Sequence, residues 1–140
     1  MSTPVWVLLA FAGWTIALLV GSIGVYRWHH ILTGRREVKS FRADEVTGDD
    51  WYKRAMRAHA NCIENLPVYG AIVLVIVVAD IQSPTLDTLA LVLTGARVVH
   101  SIVHVAFEQT NFMATLRFLF FFTQLVCMAW MGIDVTMQIL

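Results

Sequence analysis

Apolar residues along the chain fall into four long runs. Polar residues collect between the runs and on single faces within them. A helix needs about 20 apolar residues to cross the hydrocarbon of a bilayer. The first run, "PVWVLLAFAGWTIALLVGSIGVY", carries no charge from Pro4 to Tyr26, and its span is expected over about 4–30. The other runs predict spans over about 51–80, 85–107 and 115–138. The turn-like "QSPT" separates the second span from the third, and "EQTNFMA" (Glu108 to Ala114) separates the third from the fourth. Connections this short favour antiparallel neighbours. The expected fold is all-α: one integral membrane domain, a four-helix antiparallel bundle over residues 1–140.

Details of the runs refine this picture. Gly13, Ala17 and Gly21 repeat every four residues in the first span, a row of small side chains that lets another helix approach closely. The preceding "MST" lacks the positive charge of a secretory signal, so the first run is expected to remain as a helix. Pro67 sits inside the second run and frees the carbonyl of Ile63. Composition agrees with a membrane protein: 58% of residues are hydrophobic and 14% charged, against about 25% charged in soluble domains. Net charge is zero, which offers no basic field for nucleic acid. Cys62 and Cys127 both lie in apolar runs and read as small packing residues. Eight of the ten Lys and Arg lie between Arg27 and Arg57. The positive-inside rule then puts the first loop in the cytoplasm and both termini outside. The short loops point to a bacterial inner membrane.

The informative residues are the ones that cost most in hydrocarbon. Ionisable groups within a span usually face the bundle interior. Arg57, Asn61 and Glu64 are spaced i, i+4, i+7. At about 100° per residue they share a wedge of ~60°. Arg97, His100, His104 and Glu108 fit a wedge of ~80° on the third span. Glu64 and Arg97 each fall ~15 Å from the loop side, so a buried structural ion pair is expected between them. Asn61, His100, His104, Arg57 and Arg117 lie above that pair. The result is a polar funnel open to the cytoplasm and suited to an anion. His100, His104 and Glu108 also have metal-ligand spacing, but the nearby arginines oppose a cation and no metal is expected. His29 and His30, beside Trp28, read as residues of the membrane interface.

The stretch "RAHANCIENLP" (Arg57 to Pro67) closely resembles the RAHxNxxENxxP-type signature of the MAPEG superfamily, the membrane-associated proteins in eicosanoid and glutathione metabolism. Microsomal glutathione transferases and leukotriene synthase belong to it. "GRREV" after the first span, "ARVVHSIVH" in the third and "LRFLFF" opening the fourth agree in order and spacing. The resemblance implies a homotrimer that holds glutathione, as co-substrate, in a cleft between neighbouring subunits. By position it implies glutathione contacts from Arg35, Arg57, His59, Asn61, Glu64, His100 and His104. Arg117 resembles the arginine that stabilises the glutathione thiolate. His104 departs from the pattern, which usually has a tyrosine there. The connection from His104 to Arg117 is also longer than the pattern implies. Asn65 matches the microsomal transferases rather than leukotriene synthase.

Two functions follow from different classes. One is a glutathione-dependent membrane transferase or peroxidase acting on hydrophobic electrophiles, with Arg117 as the catalytic residue. The chemistry is coherent: a thiol with a pKa near 8.5 gains thiolate character beside a guanidinium. Arginines pair with the two glutathione carboxylates, and Glu64 suits its ammonium. The other is a non-catalytic membrane protein that holds a lipid or another anion in the same cleft. Expected partners are further copies of the chain, glutathione, a lipophilic small molecule or lipid, and the membrane itself.

Overall fold

The computed structural model describes residues 2–140, and its long elements are four helices. They are α1 (Thr3–Leu32), α2 (Asp50–Val78), α3 (Pro84–Ala106) and α4 (Asn111–Ile139), each long and apolar enough to cross a membrane. Among the described residues no strand forms. The first three helices lie within two residues of the expected spans. The fourth begins at Asn111 rather than about 115. Thr110 is the cause: its side chain accepts a hydrogen bond from the backbone N–H of Met113 at 3.2 Å and so caps the helix start. The connector between α3 and α4 is therefore Phe107–Thr110, shorter than the expected Glu108–Ala114.

α1 is not one uniform helix. Leu19–Gly24 forms a π turn, in which the Ser22 hydroxyl bonds to the carbonyl of Leu18. A π turn widens the backbone ladder by one residue. It changes which side of the helix faces the bundle between Thr15 and Tyr26, both buried. α2, by contrast, continues through Pro67 without a break in its helical assignment.

The bundle core is apolar and drawn from all four helices. Phe11, Tyr69, Leu93 and Met131 are among its most buried members. The Tyr69 hydroxyl donates to the carbonyl of Pro4 at 3.0 Å, tying α2 to the start of α1. The outward faces are apolar as well: Trp6, Ile16, Val78, Leu91, Phe118 and Trp130 are all more than half exposed. In water this surface would be an association patch; in hydrocarbon it matches its solvent. Gly13, Ala17 and Gly21 are also exposed, so no helix of this chain packs on their small-residue row.

At the basic end the first loop is laid against α2. Tyr26 stacks on Tyr52 with ring centres 4.1 Å apart, and Trp51 meets Tyr26 edge-on at 5.3 Å. Arg27 donates to the Tyr52 hydroxyl at 2.9 Å. Arg36 binds the carbonyl and hydroxyl of Thr47 at 2.9 and 2.7 Å and lies over the Phe41 ring. Further along, Arg42 forms a two-pronged pair with Asp44, which holds that carboxyl below the usual carboxylate range. Gly48 closes the loop with φ +133°, a conformation L side chains rarely adopt. A Cβ there would stand 2.6 Å from the Tyr26 hydroxyl oxygen, which itself accepts from the Asp49 N–H. Gly48→Ala should therefore cost about 1–3 kcal/mol of local stability. The expected readout is faster tryptic cleavage at the first-loop arginines with unchanged helical circular dichroism. Equal cleavage rates would show that the loop does not depend on this contact.

Candidate functional site

The polar faces read from the sequence meet near the ends of three helices. Arg57, Ala60, Asn61 and Glu64 form one stripe on α2. Facing them are His104 from the last turn of α3, Gln109 from the connector, and Ala114 and Arg117 from the first turns of α4. Together they line a cavity of about 370 Å³, within the range of small-molecule sites.

Arg117 holds this geometry. α3 stops when the backbone of Phe107 turns extended, leaving the last carbonyls of the helix without intrahelical partners. Arg117 Nη2 donates to the Phe107 carbonyl at 2.8 Å and, at the longer distance of 3.5 Å, to that of His104. The guanidinium is 7% exposed, and its Nε has no partner in the chain. Arg117 thus packs against the end of α3, beside His104. Arg54 adds a link from α2 through the Val105 carbonyl at 3.3 Å and pairs with Asp50.

Behind the cavity lies a second polar tier. Arg97 is fully buried, and Nη1 donates to His100 Nδ1 at 3.2 Å. Its Cζ lies 5.6 Å from the centre of the Phe11 ring. Ser101 donates to the Arg97 carbonyl at 3.0 Å and contacts the Cys62 sulfur at 3.7 Å. The rings of His100 and His104 stand edge-to-face at 5.3 Å, so His104 joins the two tiers.

The expected Glu64–Arg97 ion pair does not form within the subunit. Among the described residues the ion pairs are Lys39–Glu37, Arg42–Asp44 and Arg54–Asp50. Arg97 is turned into the bundle, whereas Glu64 is exposed on the cavity side of α2. Equal depth in the membrane did not fix how the two helices are rotated. Nε and Nη2 of Arg97 are consequently left without partners.

Of the residues singled out from the sequence, Arg57, Asn61, Glu64, His104 and Arg117 line the cavity. His100 is buried directly behind it. His59, partly buried on another face of α2, and Arg35, exposed after α1, do not line it. Gln109 was not anticipated, because a connector residue carries no periodic signal. Among the described residues, no group of three His, Cys, Asp or Glu, the His100–His104–Glu108 set included, could hold a metal ion.

Four helices long and apolar enough to cross a bilayer, with a polar cavity near the ends of three of them, define an integral, multi-pass membrane protein. The MAPEG family model matches residues 4–136, and the chain belongs to that family. Membership places it in a class associated with membranes and with glutathione and eicosanoid metabolism. No curated protein and no solved structure gives a significant match.

The Arg97 tier yields a thermodynamic prediction. His100→Ala removes the side-chain acceptor of a buried cation and should cost about 1–3 kcal/mol. Arg97→Met should be neutral or stabilising, because it removes a buried charge that lacks an ionic partner. In the double variant the His100→Ala penalty should shrink. Denaturation of the detergent-solubilised protein measures all three, and purely additive effects would show that the two side chains are not coupled.

Proposed function

We propose that the protein is a glutathione-dependent transferase or peroxidase acting on hydrophobic electrophiles within the membrane. The observation that carries this reading is the placement of Arg117 on the cavity wall. Its Nη2 is fixed by backbone carbonyls, while Nη1 makes no hydrogen bond among the described residues. A preorganised guanidinium of this kind stabilises a thiolate and loses little entropy in doing so. Arg57 offers a fork for a glutathione carboxylate, Asn61 offers an amide, and Glu64 offers a carboxylate for the ammonium. In conjugation the thiolate would attack the electrophilic carbon, and the departing group would leave with its electron pair and take up the proton lost by the thiol. In peroxide reduction it would attack the peroxide oxygen, releasing the alcohol, and a second glutathione would convert the resulting sulfenic acid to the disulfide and water.

A homotrimer belongs to this reading. It is supported by the exposed carboxylate of Glu64 and by the open row of Gly13, Ala17 and Gly21. Arg35, which does not reach the cavity of its own subunit, would come from a neighbouring copy. The cytoplasm is the proposed location of the basic first loop, in an inner membrane of bacterial type.

Adding glutathione to the purified protein should produce the ultraviolet absorbance of a thiolate. Arg117→Ala should abolish that signal and lower turnover of a generic electrophile by about 10²-fold or more. Absence of both signal and turnover in the wild-type protein would instead favour the non-catalytic reading, in which an anion or lipid occupies the cavity. That alternative is kept open by His104, which lines the cavity where the family pattern has a tyrosine.

A further inference from the structure

A second cavity of about 390 Å³ lies on the other side of Arg57. Its floor is the α2 stripe Lys53, Met56, Arg57 and Ala60, and Ala43 and Val46 of the first loop form its other wall. Arg57 and Ala60 line both cavities, so the two share a partition. The loop wall is held in place by the Arg42–Asp44 pair and by Arg36 on Thr47.

Most cations of the first-loop region are engaged, and Arg35, exposed and without a side-chain partner among the described residues, borders neither cavity. Arg27, Arg36, Lys39, Arg42 and Arg54 are each engaged by a side-chain or backbone partner. Among the described residues, Lys53 and Arg57 have neither an acidic nor a hydrogen-bonding partner. Two unengaged cations therefore border a space whose remaining walls, Ala43, Val46, Met56 and Ala60, are all apolar. The complementary occupant has one anionic group and an apolar body.

We propose that this cavity binds the anionic head of an amphiphile, a carboxylate or phosphate on an apolar chain, between Lys53 and Arg57. The source is either a free lipophilic acid or a bilayer lipid headgroup. The site does not depend on glutathione, and its occupation can be measured without it. Arg57 gives it electrostatic contact with the neighbouring cavity, because an anion on one side of that guanidinium reduces its charge toward the other.

The test uses the full chain in phosphatidylcholine nanodiscs without glutathione. The probe is a palmitic acid with a diazirine near its carboxyl group, applied at about pH 9, where the acid is ionised and lysine remains charged. Photolysis and peptide mass spectrometry should place adducts in residues 43–60. Excess palmitate should compete, and methyl palmitate should not. Lys53→Gln should lower the yield by about tenfold, as expected for loss of one charge-assisted contact, and Lys53→Arg should restore it. Lys53 is exposed and does not line the first cavity, so glutathione binding should be unchanged in both variants. In nanodiscs enriched in phosphatidylglycerol, loss of the adducts identifies the lipid headgroup as occupant, and their persistence identifies the free acid. Adducts scattered over the lipid-facing helices, equal competition by methyl palmitate, or an unchanged yield in Lys53→Gln would each overturn the proposal.

Discussion

One guanidinium closing one helix end is the contact on which the site depends. The last carbonyls of α3 have no partners within their own helix. Arg117 supplies hydrogen bonds to them from the neighbouring helix. This contact ties the start of α4 to the end of α3, across the connector that the Thr110 cap closes, and places a fixed positive charge at the cavity. The same side chain thus bonds to the backbone on one side and borders the cavity on the other. An arginine suits this better than a lysine, since its planar fork bonds on one edge and leaves another free.

Much of this arrangement was legible in the sequence. Length and apolarity identify four spans because a bilayer has a fixed thickness. The 3.6-residue period identifies Arg57, Asn61 and Glu64 as one face because the helix is regular across them. Periodicity says nothing, however, about how one helix is rotated against another. Glu64 and Arg97 therefore read as partners from their depth, although one faces the cavity and the other the core. The π turn at Leu19–Gly24 is invisible for a related reason, since a steady period assumes an unbroken ladder. The start of α4 was misplaced because Thr110, a lone polar residue, is a cap only once its oxygen meets the Met113 N–H.

The two cavities are best understood from what becomes of the cations at that end. Most arginines of the first loop are taken up by local partners: Tyr52, Thr47, Asp44 and Asp50. These contacts fix the loop and leave little charge over for a ligand. Arg35, Lys53 and Arg57 have no such side-chain partner among the described residues; Lys53 and Arg57 border a cavity, as Arg117 does, and Arg35 does not. Exposed ion pairs of the loop kind contribute little stability, because solvent screens them. An unengaged cation beside an apolar wall is different, because its counter-charge must come from something that enters the cavity. Arg57, standing between the two cavities, is where occupation of one would be felt in the other.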